Sequence, residues 1–320
     1  MLVNTQSEID RLCHETGAVI KHNQPLSLHT SLKIGGQARY YIEARSLDFI
    51  RGFLKYRGDD AQMFVLGGGS NILFSDQGYD GYIICAKGLA SIKEQGDKDN
   101  DEITIEAGAG VMLQGLLRYA LDRGYTGIEG LAGIPGTIGG AIYGNAGSYG
   151  CEIGSHVKSV TVIDGDGEIK DISNILGVKS ARELKFSYRS SNISKDEIII
   201  SAKIGLKRGS VAEVSEKMKE ILEKKKASQP IGQHSAGCVF KNPIGDFAGR
   251  LIEQAGCKGL SKGDITVSQL HANFFINKGS GSCKDFLMLM DEVKGLVYKR
   301  FAIELTPEIK IIRNEVKSEK

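Results

Sequence analysis

The sequence predicts an α+β protein of more than one domain, and three observations carry that reading. Strand-like runs through the first two-thirds outnumber what an alternating βαβ pattern would give. Near residue 210 the composition shifts to a charged helical run, and a chain of 320 residues is long enough for roughly two domains, each with its own core. Two glycine-rich segments, LGGGSNIL at 66–73 and GIPGTIGGAIYGNAG at 133–147, punctuate the strands, and the first of them runs out as another strand and not into a helix.

Taken in order, residues 7–16 open on a Ser–x–x–Asp pattern and read as a short amphipathic helix. A strand at 38–44 is followed by a helix that Ser46 caps and that runs through Tyr56, with Leu47, Ile50, Phe53 and Leu54 at helical spacing. Strands follow at 81–86 and 102–107, joined through the charged run EQGDKDNDE, which reads as a solvated loop. Val111, Leu113, Leu116, Leu117, Ala120 and Leu121 form an apolar helix face that stops at Gly124. The run VKSVTVIDGDGEIKDI predicts a hairpin across Gly165–Gly167, and 197–209 predicts a further strand. Beyond a boundary near 208, the helix starting at Val211 ends in a lysine run expected to be a solvated face, and Pro230 closes it. The remainder alternates: helix 246–255, strand 272–277, helix 283–300 and strands within 302–313.

Charge and motif content remove several functions. Lys+Arg 41 against Asp+Glu 39 leaves +2, which argues against a nucleic-acid binder working by broad phosphate neutralisation. No apolar run is long enough for a signal peptide or a membrane span, so the expected address is the cytoplasm with no membrane partner. Six scattered cysteines without a CxxC pair, and histidines without zinc-like spacing, predict reduced thiols and no metal site. GxxxxGK[ST] is absent, and no GxGxxG opens a helix, so P-loop NTPases and the common nicotinamide dehydrogenases are excluded.

The segment 133–147 holds six glycines in fifteen positions, too few side chains to build much core. Glycine in place of alanine costs about 0.5–1 kcal/mol in regular structure, so something must offset the segment, and a ligand lying against bare backbone would do so. The GGGSN turn alone fits a cofactor clamp and a plain hairpin loop equally well.

The motifs LGGGSNILFSDQGYDG, GLAGIPGTIGGAIYGNAGSYG, FSYRSS, SAGCVFKNP and LTPEIKII occur in this order, and with them the chain resembles the UDP-N-acetylenolpyruvoylglucosamine reductase family over nearly its whole length. The resemblance implies a two-subdomain FAD-binding fold of the PCMH/VAO type plus a C-terminal α/β substrate-binding domain. The expected division is 1–75 for the first FAD-binding subdomain, with strand 304–316 returning to it, 76–208 for the second and 209–303 for the substrate-binding domain. It further implies non-covalent FAD, NADPH as reductant, a UDP-sugar substrate, and a protein working as a monomer without nucleic acid.

Carried over by motif, Gly67, Gly69, Ser70 and Asn71 meet the pyrophosphate region, and Pro135, Gly136, Thr137, Gly139 and Gly140 run along the flavin. In the family, hydride reaches C3 of an enolpyruvyl ether while charge builds toward its carboxylate, so a cation and an acid are needed. Arg189 matches the family arginine that steadies that charge, and its planar fork suits a carboxylate. Tyr188 beside it shapes the substrate pocket. Glu308 matches the family glutamate beside the reacting carbon; spacing alone would also fit an exposed edge charge.

Cys238 stands where many relatives place a serine as proton donor. A thiol near pKa 8.5 is a better acid than an aliphatic hydroxyl, so Cys238 reads as a working variant. Asn242 matches a position that binds the sugar nucleotide, with Lys241 able to answer a diphosphate charge, while His271 and Asn273 in HANFF are candidates near the flavin. No tyrosine-bearing insertion follows YRSS, as in the shorter subtype of the family. Two alternatives stay open: a flavin oxidase of another hydroxylated substrate, which NADPH dependence would separate, and a silent nucleotide-binding protein, which absence of bound flavin would favour.

Overall fold

Antiparallel pairing around one long strand organises the first part of the chain. In the computed structural model, which describes residues 2–58, 61–95, 101–173 and 182–314, a seven-stranded sheet runs Arg182–Glu183, Ile169–Ser173, Val157–Ile163, Ile198–Arg208, Glu102–Gly108 and Ile92–Gln95, with Tyr125–Thr126 also paired to Ile198–Arg208. Every pairing is antiparallel except that between Ile169–Ser173 and Arg182–Glu183. The hairpin across Gly165–Gly167 forms as expected, Val160 opposite Ile172. Alternation along Glu102–Gly108 buries Ile103, Ile105 and Ala107 on one face.

The described residues fall into two compact units. The first comprises Met1–Lys21, Tyr41–Gly68 and Ile83–Glu223. Its largest core packs the sheet's Ile103, Ile105 and Val160 with Leu116 and Leu117 of the helix Leu113–Arg123. Gly124 ends that helix in the left-handed region at φ +68°, its amide bonded back to the last turn. Ser46 caps Leu47–Tyr56 through the Phe49 amide, as its position in the sequence implies.

The second unit comprises His22–Tyr40, Gly69–Tyr82 and Lys224–Lys320. Here Leu32, Leu73, Phe240, Phe275, Phe286 and Ile309 share one core. Helix Cys283–Phe301 starts on a capping box of Ser282 and Asp285. A three-stranded sheet, Ser261–Lys262, Ile265–Val267 and Phe275–Asn277, packs with it, and Lys310–Ile312 lies parallel to Ile72–Phe74, with Ile311 opposite Leu73.

Six expectations are corrected. The first helix spans Leu2–Thr16, so Ser7 and Asp10 sit inside it and not at its start. Residues 133–147 do contribute to a core: Ile138–Tyr143 forms a helix whose Ile138 and Ile142 are fully buried, while Gly139 lies against Ala109 and Gly140 faces outward. Of the lysine run, Lys225 is only 2% exposed, so the helix Val211–Ser228 does not present all its lysines to solvent. The strand expected at 272–277 is only Phe275–Asn277. Residues 302–313 give one strand, Lys310–Ile312, because Ala302 turns left-handed at φ +55° and Pro307 has no N–H, making only an isolated bridge to Phe240. Of the charged loop EQGDKDNDE, Glu94 and Gln95 close a strand, and residues 96–100 lie outside the described residues.

Candidate active site

The two glycine-rich segments meet within the first unit. A Cβ built on Gly67 would stand 2.5 Å from Thr137 Oγ1, and one on Gly68 would stand 2.5 Å from Gly136 Cα. No side chain fits at either place: glycine at 68 permits backbone-to-backbone approach to Gly136, and glycine at 67 leaves room for the Thr137 hydroxyl. Gly136 itself adopts φ +118°. Thr137 is buried and caps the helix Ile138–Tyr143, accepting from the Gly140 amide at 3.4 Å.

The amides at this helix start are spoken for. Ile138 N donates to Val111 O at 2.8 Å and Gly139 N to Ala109 O at 2.9 Å, so neither is a free donor for a phosphate. What the segment offers outward is surface: Pro135 and Gly140 are exposed, and a Cβ on Gly140 would meet only Thr137 Oγ1, at 3.6 Å. A flat ring can lie on such a surface.

Tyr188 and Arg189 are the two turn residues of a tight hairpin between Phe186–Ser187 and Ser190–Ser191. Arg189 takes φ +57°, a region side chains enter at a cost of about 1–2 kcal/mol, and its guanidinium lies 5.3 Å from the Tyr188 ring centre. Asn145, wholly buried and missed by sequence reasoning, holds this turn. Its Nδ2 donates to Ser187 O at 3.0 Å and to Glu152 Oε2 at 2.8 Å, and its Oδ1 accepts from Gly154 N at 3.1 Å. The one available signal was a polar residue set among glycines in YGNAG.

The second unit carries the remaining candidates. Gly69 adopts φ +66°, and a Cβ there would sit 2.0 Å from His29 O, so its glycine is required by the main chain of residue 29. Ser70 follows it in the turn. Asn71 links the turn to the C-terminal motif: its Nδ2 donates to Glu308 O at 3.3 Å, and its carbonyl accepts from Lys310 N at 3.1 Å.

Cys238 and Glu308 are brought onto adjoining segments. Glu308 N donates to Val239 O at 2.8 Å, immediately after Cys238, and Lys241 N donates to Thr306 O at 2.8 Å. Cys238 is half-buried and forms an isolated bridge with Phe274. Burial, with the charge of Lys241 second, lowers Lys310 to about 8. This lysine was not singled out by its spacing.

Asn242 is exposed, and its Oδ1 accepts from Ala248 N at 3.0 Å, at the start of the helix Ala248–Gln254. His271 serves structure first: its Nδ1 accepts from Asn273 N at 3.2 Å, and burial followed by Lys258 lowers its pKa.

Asn71 Oδ1 is buried and has no hydrogen-bond partner among the described residues. A buried amide oxygen calls for a donor, which a pyrophosphate is not and a ribityl hydroxyl or ring N–H of FAD is. Asn71 Oδ1 thus suits the ribityl or ring part of the group and not the pyrophosphate its motif implied. The residues therefore fit the group.

Residues 38–173 match the family model described as "FAD binding domain", and residues 229–312 match the one described as "UDP-N-acetylenolpyruvoylglucosamine reductase, C-terminal domain". The fold and site thus define a flavin-dependent oxidoreductase. A UDP-N-acetylenolpyruvoylglucosamine reductase of Caldanaerobacter subterraneus is 40% identical over 292 residues, 91% of this chain and 92% of the relative. Another, of Carboxydothermus hydrogenoformans, is 38% identical over 309 residues, 95% of this chain and 97% of the relative. The crystal structure of the reductase from Thermus caldophilus superposes with a TM-score of 0.75 at 32% identity, covering 92% of this chain and 98% of that one. The chain belongs to the UDP-N-acetylenolpyruvoylglucosamine reductase family.

Proposed function

We propose that this protein reduces UDP-N-acetylglucosamine enolpyruvate to UDP-N-acetylmuramate, a step in peptidoglycan precursor synthesis, with non-covalent FAD and with NADPH as reductant. The observation that carries the reading is the junction of Cys238 with Glu308 through the 2.8 Å bond from Glu308 N to Val239 O, in a chain alike its relatives almost end to end. Bound FAD supplies a two-electron carrier between NADPH and C3 of the enolpyruvyl ether. Gly67, Gly69, Ser70, Asn71, Pro135, Gly136, Thr137, Gly139 and Gly140 hold it, with Asn71 Oδ1 as acceptor and the Pro135–Gly140 surface as bed.

Arg189 binds the substrate carboxylate and stabilises the negative charge that grows on it as C3 gains hydride. Its left-handed backbone and the Asn145 brace support that role, since strain of this kind collects at functional positions. Cys238 then gives its Sγ proton to C2, and Glu308 orients the reacting carbons and limits water. Tyr188 and Asn242 bind the sugar nucleotide.

The expected division into 1–75 with 304–316, 76–208 and 209–303 is retained as part of this reading. The parallel pairing of Lys310–Ile312 with Ile72–Phe74 supports the return of 304–316 to the segment 1–75 and bears on no other boundary. The reading takes the protein as a monomer working in the cytoplasm on UDP-sugar and NADPH; among the described residues no helix is long and apolar enough to cross a membrane.

The test is anaerobic. The yellow band of the FAD-loaded protein should bleach with NADPH and return with the enolpyruvyl substrate. A band that bleaches and stays bleached would assign another oxidant, and a protein that cannot take up FAD would end the reading.

A further inference from the structure

Phe240 is wholly buried, so both its N–H and its C=O need partners inside the protein. One side chain supplies both. Asn273, itself 1% exposed, accepts from Phe240 N through Oδ1 at 2.9 Å and donates from Nδ2 to Phe240 O at 2.8 Å. Its backbone carbonyl also accepts from Val239 N at 2.8 Å. Three bonds therefore fix residues 239–240 on one side. On the other side the same stretch holds the C-terminal motif, through Val239 O to Glu308 N and Lys241 N to Thr306 O.

The arrangement has one register. A primary amide presents an acceptor and a donor from one planar group, as Phe240 requires. An ionised aspartate would set an acceptor oxygen against Phe240 O, and an aliphatic residue would leave both groups of Phe240 unpaired. We infer that Asn273 is a positioning residue, which sets the segment carrying Cys238 and, through Val239, the placement of Glu308 for proton delivery to the substrate. This rests on the roles given to Cys238 and Glu308 under Proposed function. Asn273 touches neither side chain and acts through the main chain of 239–240.

The experiment compares the FAD-loaded wild type with Asn273→Asp by anaerobic rapid mixing, reading each half-reaction per bound flavin. Bleaching by NADPH should stay within about twofold of wild type. Return of the band with the enolpyruvyl substrate should slow by about 30–100-fold, the scale of a misplacement near 1 Å. Alkylation of Cys238 by iodoacetamide, mapped by peptide mass, should change in rate while that of Cys151 does not.

A merely structural role gives a different pattern: less bound flavin, with both half-reactions and the Cys238 rate unchanged per bound flavin, and that result overturns the proposal. Equal slowing of both half-reactions also overturns it. If Asn273→Asp does not fold, Asn273→Gln, which keeps the amide one methylene further out, takes its place. Failure of both to fold makes Asn273 a stability element and likewise ends the proposal. If the wild type itself shows no return of the band with substrate, the reading under Proposed function fails, while the Cys238 alkylation comparison still decides whether Asn273 places that thiol.

Discussion

Arg189 pays for its position in backbone strain, and that can be measured apart from its charge. Replacing it by glycine and, separately, by alanine removes the guanidinium in both cases. Alanine keeps a Cβ at φ +57°, a conformation about 1–2 kcal/mol above the right-handed region for an L side chain, whereas glycine enters it freely. Glycine gives back about 0.4–1 kcal/mol through the greater freedom of its unfolded chain. Arg189→Gly should therefore be more stable than Arg189→Ala by about 0.5–1 kcal/mol, or about 1–3 °C in melting temperature. In the proposed role both variants lose the cation for the substrate carboxylate, with an expected loss of about 10²–10³ in rate. The assays are thermal melting of the FAD-loaded proteins and the rate at which substrate restores the flavin band. Alanine melting at or above glycine would refute the strain argument, and either variant within tenfold of wild type would remove Arg189 from the chemistry.

Cys238→Ser should keep substantial turnover while Cys238→Ala loses most of it; equal activity in the alanine variant would exclude the thiol as donor. Brief iodoacetamide treatment at neutral pH should label Cys238 and Cys151 ahead of Cys13, Cys257 and Cys283, whose thiols burial pushes up to about 11, as read by peptide mapping. Asn145→Ala strands the buried Gly154 N and frees Ser187 O, and a urea titration should show about 1–3 kcal/mol lost. Lys310 has its folded pKa lowered by burial and by Lys241 to about 8, against an ordinary 10.5. Between those values the unfolded chain binds more protons, so this lysine's contribution is complete above 10.5 and is lost as pH falls through about 8. Lys310→Met should flatten that part of the stability-against-pH curve, and an unchanged slope would show the lysine to be solvated.

Features whose cause is local were legible in the sequence. Ser46 caps its helix and Gly124 ends its own because each acts within one turn of chain, and the hairpin at Gly165–Gly167 depends only on its own strands. The family motifs named Arg189, Cys238 and Glu308, yet nothing along the chain reveals that Arg189 sits at positive φ. Gly67 against Thr137 and Gly68 against Gly136 are meetings of segments far apart in sequence, so the glycines could be read as a clamp but not as each other's neighbours. Asn145, and the main-chain bonds of Asn273, were hidden for a related reason. Their partners include main-chain atoms, which carry no residue identity for a pattern to catch. Lys225 and Ile138 were misjudged because composition averages over a segment, while burial is decided residue by residue.

The parallel pairing of Lys310–Ile312 with Ile72–Phe74 has a consequence for how the molecule is made. A ribosome delivers Leu32, Ile34 and Leu73 early, but their core partners Phe240, Phe286, Leu305 and Ile309 emerge much later. The first unit has nearly all of its sheet in hand by Arg208, whereas the second must hold its early apolar residues in waiting. Such long-range closure is slow and leaves sticky surface exposed meanwhile. A nascent chain arrested before residue 310 would thus keep Leu73 and its neighbours without their late core partners, the kind of surface that chaperones bind.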